Sequence, residues 1–296
     1  MRILVTGGTG FIGSNIAHAL IQRGDEVLIT GNDAEQKVPG AHKFLQPSFL
    51  GIDWDEVGHL DALVHQAAIN ETQSKEEKEM MRANVDASKA VFEYAAKNGC
   101  RSIVYASSTA IYGDGPTPSK EDQELRPLTP YARSKVEQEK MAAAFAAANP
   151  GIRVVGLRYC NVYGPGESHK GRRASMVYQL AQQMKTGNPR LFKSGEQSRD
   201  YIYVKDVVRA NILGLEAKEN ALVNCGSGTS TSFNEVVAIL NEVFGTSRAP
   251  EYFENPIKGT YQDKTLCDMS RAKDTIMFVP QFDIRKGIED YAASGL

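Results

Sequence analysis

The sequence predicts an α/β fold built on a doubly wound parallel sheet, and three observations predict it. Short apolar runs alternate with longer helical patterns through the first half of the chain. A glycine-rich turn follows the first apolar run and opens the first helical pattern. The distance from one apolar run to the next is that of βαβ units, whose parallel strands need a helical crossover. The chain has 296 residues, 42% hydrophobic and 24% charged. At roughly 100–200 residues per domain, that suits one large domain or two modest ones.

The elements follow in order. Arg2–Thr6 reads as a buried strand, residues 14–23 as a helix and Glu26–Thr30 as the next strand. Ala62–His65 is another strand. Over residues 80–98, Met81, Val85, Val91 and Ala95 fall near one helical face, and Gly99 supplies a stop. Residues 102–106 form a strand, 131–149 a long Ala-rich helix and 153–158 a further strand. Beyond residue 160 the rhythm changes: Gly164-Pro165-Gly166 and Gly171 crowd the turns, and the helices shorten. Ser232-Phe233-Asn234-Glu235 has the spacing of a capping box and opens a helix that runs to Val243.

Composition excludes several classes. Average apolar and charged content excludes a disordered, collagen-like or coiled-coil chain. With 34 Lys+Arg against 36 Asp+Glu, the net charge of −2 gives no electrostatic reason for a nucleic-acid or membrane partner. The four cysteines (Cys100, Cys160, Cys225 and Cys267) lie far apart with no Cys-x-x-Cys pair, so reduced buried thiols are expected. His18, His42 and His59 lack partners at ligand spacing, and no metal is expected. No stretch approaches the ~18 apolar residues of a spanning helix, and the few apolar residues before Gly7 do not read as a signal peptide. A cytoplasmic protein is expected.

The sharpest local signal is Val5-Thr6-Gly7-Gly8-Thr9-Gly10-Phe11-Ile12-Gly13. Gly7, Gly10 and Gly13 allow a tight turn, close approach of a pyrophosphate and close helix–strand packing, with the phosphates at the helix N-terminus. This is the Rossmann pattern. Residues 1–160 are therefore assigned to a dinucleotide-binding domain. Residues 161–296 are assigned to a smaller α/β substrate-binding portion, with a soft boundary and some chain crossing back. The second strand ends Ile29-Thr30-Gly31-Asn32-Asp33, with Gly31 where a carboxylate normally holds the ribose 2′-OH of NAD. That absence leans the choice towards NADP, although Asp33 stands close enough in sequence to take the role.

A second signal is Tyr131-Ala132-Arg133-Ser134-Lys135. One helical turn puts Tyr131 and Lys135 on one face, where an ammonium favours the phenolate and makes the tyrosine a usable acid–base. Some 20 residues earlier, Ser107-Ser108 runs off a strand end, and ligands of open α/β sheets bind at the strands' carboxyl ends. His65, at another strand end, reads as packing or cofactor-facing.

Together these segments resemble the extended short-chain dehydrogenase/reductases, and the nucleotide-sugar epimerases and dehydratases among them along essentially the whole chain. His65-Gln66-Ala67-Ala68, Asn84, the run from Arg158 through Asn161-Val162-Tyr163-Gly164-Pro165, and Arg199-Asp200-Tyr201 support it. The resemblance implies Ser108, Tyr131 and Lys135 as a catalytic trio. It implies a tightly bound NADP or NAD held by the glycine turn, Phe11, Ile12, Gly31, Asn32, Gln66, Ala67, Ala68, Asn84, Lys135 and Val162. His169-Lys170-Gly171 and Lys258-Gly259-Thr260-Tyr261-Gln262 are similar to ADP-glycero-manno-heptose 6-epimerases. That likeness implies Lys170 as a second acid–base, substrate contacts at Ser108, Asn161, Arg172, Phe192, Arg199 and Tyr261, a nucleotide-diphosphate sugar as substrate, and a homo-oligomer. Departures are Gly31-Asn32 for the family's Asp-Asn, and Arg172 and Gln179. The nearest rival is a UDP-hexose 4-epimerase with Tyr131 as sole base. A dehydratase is disfavoured because Thr109-Ala110, not an Asp-Glu pair, follows Ser108. A dinucleotide-sensing regulator is disfavoured because the tyrosine and lysine are kept.

Overall fold

The computed structural model describes residues 1–31, 38–45, 54–69, 77–192, 194–254 and 262–296. The first half runs β1 (Arg2–Thr6), α1 (Phe11–Gln22), β2 (Glu26–Thr30), β3 (Lys43–Leu45), α2 (Trp54–Val57), β4 (Ala62–His65), α3 (Glu77–Met81), α4 (Ala87–Lys97), β5 (Ser102–Ser108), α5 (Pro130–Ala148) and β6 (Arg153–Tyr159). The second half runs β7 (Asn161–Tyr163), α6 (Met176–Thr186), β8 (Arg190–Phe192), β9 (Ser198–Tyr203), α7 (Val204–Glu216), β10 (Ala221–Cys225), β11 (Ser230–Ser232), α8 (Phe233–Phe244), β12 (Glu251–Phe253), α9 (Ser270–Ile276) and α10 (Ile284–Ala293).

Seven strands make one parallel sheet in the order β10-β6-β5-β4-β1-β2-β3. Both of its faces are covered, so its strands read as unbroken apolar runs. Alternation along β1 still decides the partners. Ile3 and Val5 join Ile16, Leu20, Val207 and Ala210 of α1 and α7, while Leu4 faces Val91, Phe92, Ala95 and Phe145 of α4 and α5. Phe92 is fully buried and meets Tyr105 and Phe145 edge-on at centroid distances of 5.9 and 5.3 Å. Truncating such a ring to alanine costs about 3–5 kcal/mol. A third cluster, built on Tyr163, Tyr203, Val177 and Phe233, packs the small β7-β9-β11 sheet against α6, α8 and α10. No helix among the described residues is long and apolar enough to cross a membrane.

Four differences from the sequence expectations have local causes. Helix α1 begins at Phe11 rather than residue 14, because Gly10 itself takes the extended N-cap conformation. The helix expected over residues 80–98 is interrupted by a π-turn, Arg82–Asp86. The widened turn contains Asn84, which bonds both the N–H and C=O of Ile69 at 2.8 and 2.9 Å. Strands β3 and β10 were not expected; β3 is three residues long, and β10 (Ala-Leu-Val-Asn-Cys) is too short for a clear period. Finally, two of the four cysteines expected as thiols are joined: Cys160 and Cys267 form a disulfide, while Cys100 and Cys225 are free and buried. The separation of 107 residues hid this pairing. The chain returns alongside Ser119, and the Cys267 N–H donates to Asp200 at 3.0 Å, which sets the residue beside the end of β6. The capping box is present as read, with Ser232 and Glu235 exchanging both bonds.

Candidate active site

Strand β1 delivers the chain into a turn that few residues other than glycine can make. Gly7 has φ +67°, and a Cβ there would lie 2.9 Å from the Ala67 nitrogen. A Cβ on Gly13 would overlap the Gly7 carbonyl, whose carbon would lie at 2.8 Å. Gly10 caps α1 without a side-chain hydrogen bond. The first-turn N–H groups therefore stay available to an anion, with the helix dipole behind them.

A cavity of about 730 Å³ opens over this turn, at the carboxyl ends of the central strands. Of the expected residues, Gly7, Gly10, Phe11, Ile12, Gly13 and Gly31 line one part, and Gln66, Ala67 and Ala68 the part beyond β4. Ser108, Tyr131, Lys135, Val162 and Lys170 line the rest. The glycine cradle and the free helix end fit a dinucleotide pyrophosphate. Thr9 was not anticipated: it is buried, it lines the cavity, and it fills the space beside Gly31.

The corner of the cavity lined by Ser108, Tyr131 and Lys135 is set by two elements. Ser108 is the last residue of β5, its hydroxyl accepting from the Ala110 N–H at 3.2 Å. Helix α5 starts at Pro130 behind Thr129, whose hydroxyl accepts from the Ala132 N–H at 3.1 Å. That start puts Tyr131 in the first turn, within reach of the Ser108 hydroxyl. Lys135 follows one turn later with its Nζ 5.8 Å from the Tyr131 ring centroid. Burial pushes the Lys135 ammonium down to about 7, with Glu139 opposing. Burial also holds the Tyr131 phenol above its ordinary range, with the Ser108 hydroxyl acting the other way. The sequence argument had Lys135 drawing that phenol down. Desolvation is the larger effect on the phenol.

Behind this corner lies a buried ion pair that sequence reasoning missed. Arg158 donates to both Glu139 oxygens at 2.9 and 2.8 Å, and Glu139 accepts from Ser107 at 2.5 Å. Arg158 continues to the Tyr112 hydroxyl at 2.8 Å, which donates to Asn224 at 2.6 Å. Each member has partners, as a buried pair requires. The available signal was Glu139 standing one helical turn beyond Lys135.

Lys170 sits in a 3-10 turn, Ser168–Arg173. Buried Glu167 shapes that turn by accepting from the Gly164 N–H at 3.1 Å and from the Ser175 N–H and hydroxyl at 2.6 and 2.9 Å. The Lys170 Nζ lies 5.2 Å over the Phe11 ring. Burial lowers its pKa, Glu167 raises it and Arg173 lowers it.

The remaining expected contacts are not gathered here. Arg172 is exposed and outside the lining, where Arg173 stands instead. Asn161 donates to the Asp200 carbonyl and the Thr265 hydroxyl at 3.2 and 3.1 Å. Phe192 packs on Phe253 with centroids 4.8 Å apart, and the Arg199 guanidinium lies 5.5 Å over Phe233. Asn84 is fully buried beneath the Ile69 loop and also donates to Ser134 at 2.9 Å. Asn32 and Tyr261, with Asp33, lie outside the described residues. Cys160 lines the cavity, so the disulfide fastens its wall to the segment carrying Cys267.

Residues 3–226 match the NAD dependent epimerase/dehydratase family. The chain belongs to that family. An ADP-L-glycero-D-manno-heptose-6-epimerase of Brachyspira hyodysenteriae is 33% identical, over 98% of this chain and 96% of the relative. The solved ADP-L-glycero-D-manno-heptose-6-epimerase of Helicobacter pylori superposes with a TM-score of 0.88 at 30% identity, covering 99% of this chain and 95% of that one. A UDP-glucose 4-epimerase from Thermotoga maritima, solved with UDP-glucose, gives 0.89 at 30% identity, with 99% of both chains covered. In this epimerase/dehydratase chain the glycine turn, the strand-end serine and the Tyr131/Lys135 pair therefore sit on a fold shared with nucleotide-sugar epimerases.

Proposed function

We propose that this protein is a nucleotide-sugar epimerase. It inverts one sugar carbon by transient oxidation and re-reduction, and an ADP-linked heptose inverted at C6 is the favoured substrate. One observation carries the reading: Tyr131 and Lys170, two proton-transferring side chains from separate elements, line the cavity that opens over the glycine turn. The heptose-epimerase relatives support the substrate.

The glycine turn and the α1 N-terminus would hold the pyrophosphate of NAD or NADP, and Lys135 the nicotinamide ribose. The chemistry such a dinucleotide would supply when bound is reversible hydride transfer at the sugar carbon. The protein's residues orient the sugar and handle its hydroxyl proton. Ser108 holds the reacting oxygen. Tyr131, kept protonated by burial, is ready to donate. Lys170, whose pKa burial lowers from its ordinary value, is the second side chain placed on the cavity to exchange a proton with the sugar hydroxyl. Inversion needs proton handling at two positions, and a pair of acid–bases supplies it. NADP is the favoured cofactor, because Gly31 brings no carboxylate to bond a 2′-OH or repel a 2′-phosphate.

A UDP-hexose 4-epimerase is the second reading, favoured by the likeness to the Thermotoga maritima structure; there Tyr131 alone would serve. Incubation with ADP-glycero-manno-heptose and with UDP-glucose, followed by NMR of the epimers, tests both. Mass spectrometry of co-purifying nucleotides identifies the cofactor. A homo-oligomer and a cytoplasmic location belong to the same reading, tested by sedimentation and fractionation.

A further inference from the structure

We propose that Gln138 is the positioning residue that aims the Lys135 ammonium into the cavity, and that it is itself clamped through Ser88 and His65 to the glycine turn. The inference rests on the epimerase reading for its consequence in turnover, though not for its geometry.

Lys135 is 1% exposed, and its Nζ donates to the Ala106 carbonyl at 2.8 Å and to Gln138 Oε1 at 2.9 Å. An ammonium has three N–H groups. Two are tied to protein, which leaves the third for the cavity that Lys135 lines. The Ala106 carbonyl belongs to the sheet backbone and cannot swing. Gln138 is a side chain, so whatever fixes Gln138 fixes the second bond.

The Gln138 amide is fixed by a chain of buried groups whose hydrogens can be assigned in turn. Ser88 donates its hydroxyl proton to the Asn84 carbonyl at 2.7 Å. Its oxygen must therefore accept its other two neighbours, Gln138 Nε2 at 2.9 Å and His65 Nε2 at 2.8 Å. With Nε2 protonated, His65 Nδ1 accepts from the Thr6 hydroxyl at 2.7 Å, and that oxygen accepts from the Ala67 N–H at 3.2 Å. Gln138, Ser88 and Thr6 are fully buried and His65 is 1% exposed. Nitrogen of the amide points to Ser88 and oxygen to Lys135, and flipping it would set donor against donor at Lys135 and acceptor against acceptor at Ser88.

The hydrogens converge on Ser88 from both sides, so no proton can hop from Lys135 to His65. The chain is a clamp and not a proton wire. Its far end is the same turn in which Thr6 and Ala67 border Gly7, and it ties the lysine to the phosphate cradle. An amide suits this position because its oxygen accepts from the ammonium without adding charge. The titratable groups near the lysine are Tyr131 and Glu139 on α5, His65 on β4, and Arg158 on β6, which is paired with Glu139. Asn84 and Ser88, from the adjoining turn and α4, are uncharged.

The test is the titration of Lys135 in the intact protein, followed by NMR of ¹³C-labelled lysine and assigned with Lys135→Met. Gln138→Met removes an acceptor from a buried ammonium, and its midpoint should fall by about one pH unit or more. Gln138→Glu keeps the acceptor and adds charge, and its midpoint should rise by a similar amount. In both variants the pH profile of kcat should move in the same direction as the midpoint. Equal midpoints in native protein and Gln138→Glu would overturn the proposal, even if Gln138→Met fails to fold. Opposite shifts without turnover of any nucleotide sugar would uphold the clamp and overturn the epimerase reading instead.

Discussion

Thr9 occupies the space that a side chain at residue 31 would need. A Cβ built on Gly31 would stand 2.5 Å from both the Cβ and the Cγ2 of Thr9, whose side chain is only 5% exposed. The missing carboxylate at the end of β2 is therefore coupled to the residue chosen inside the glycine turn. Gly31→Asp alone should overpack the turn, costing about 1–3 kcal/mol, and should weaken both NAD and NADP. Thr9→Gly removes the obstacle, and Thr9→Gly with Gly31→Asp should favour NAD over NADP by tenfold or more, about 1.4 kcal/mol. Calorimetric Kd values for both dinucleotides check this. Tighter NAD binding by the single Gly31→Asp variant, with an unchanged Tm, would refute the coupling.

Replacing Tyr131 with Phe keeps the ring packing and removes the hydroxyl that faces Ser108. The kcat should fall on the order of 10²–10⁴-fold, with the dinucleotide still bound. Lys135→Met should lose activity and also weaken dinucleotide binding. Steady-state kinetics and equilibrium dialysis separate the two, and normal cofactor retention in Lys135→Met would contradict its ribose-holding role.

His65 carries a prediction about stability. Burial, and then the charge of Lys135, push its pKa down to about 3, while an unfolded chain's imidazole protonates near pH 6.5. Between those values the unfolded state binds the extra proton. Stability from this group is thus complete above pH 6.5 and is lost as pH falls towards 3, by up to about 1.4 kcal/mol per pH unit. Urea melts at several pH values should show that slope. His65→Gln, which has no proton to take up, should be less stable near neutrality but show a flatter acid limb; an unchanged limb would exclude His65 as its source.

The sheet and its ligand edge were legible because local rules and the tertiary fold agree there. Positions 7 and 13 need glycine for steric reasons that any sequence reader can apply, and Tyr131 and Lys135 share a face by helical period alone. What escaped depends on separations that no period encodes. Cys160 and Cys267 meet only because the chain returns past Ser119. Thr9 and Gly31 meet across a turn and a strand end. Gln138 reads as one more polar helix residue until Ser88 and His65 are placed beside it. Arg172 and Arg173 are neighbours in sequence, and only the fold of the 3-10 turn decides that the second faces the cavity.

Lys170 decides between the two epimerase readings. Its place over the Phe11 ring, in a turn shaped by buried Glu167, presents an amine to the cavity from the opposite half of the chain to Tyr131. If hydride leaves one face of the sugar carbon and returns to the other, the hydroxyl proton has to be handled from two positions. A lone tyrosine manages this only when the whole keto sugar turns over. Lys170→Met keeps the stem and its contact with Phe11 while deleting the amine. It should therefore reduce epimerisation of ADP-glycero-manno-heptose on the order of 10²–10⁴-fold, with dinucleotide affinity and Tm within error of the native protein. Half of the chemistry should survive, because Tyr131 still serves one epimer. An aldehyde analogue of the substrate, oxidised and reduced at the same carbon, would show proton transfer continuing in Lys170→Met and in Tyr131→Phe, and lost when both are changed. Turnover by Lys170→Met near the native rate, on the ADP-heptose or on UDP-glucose, would leave Tyr131 as the only base and make the 4-epimerase the better reading.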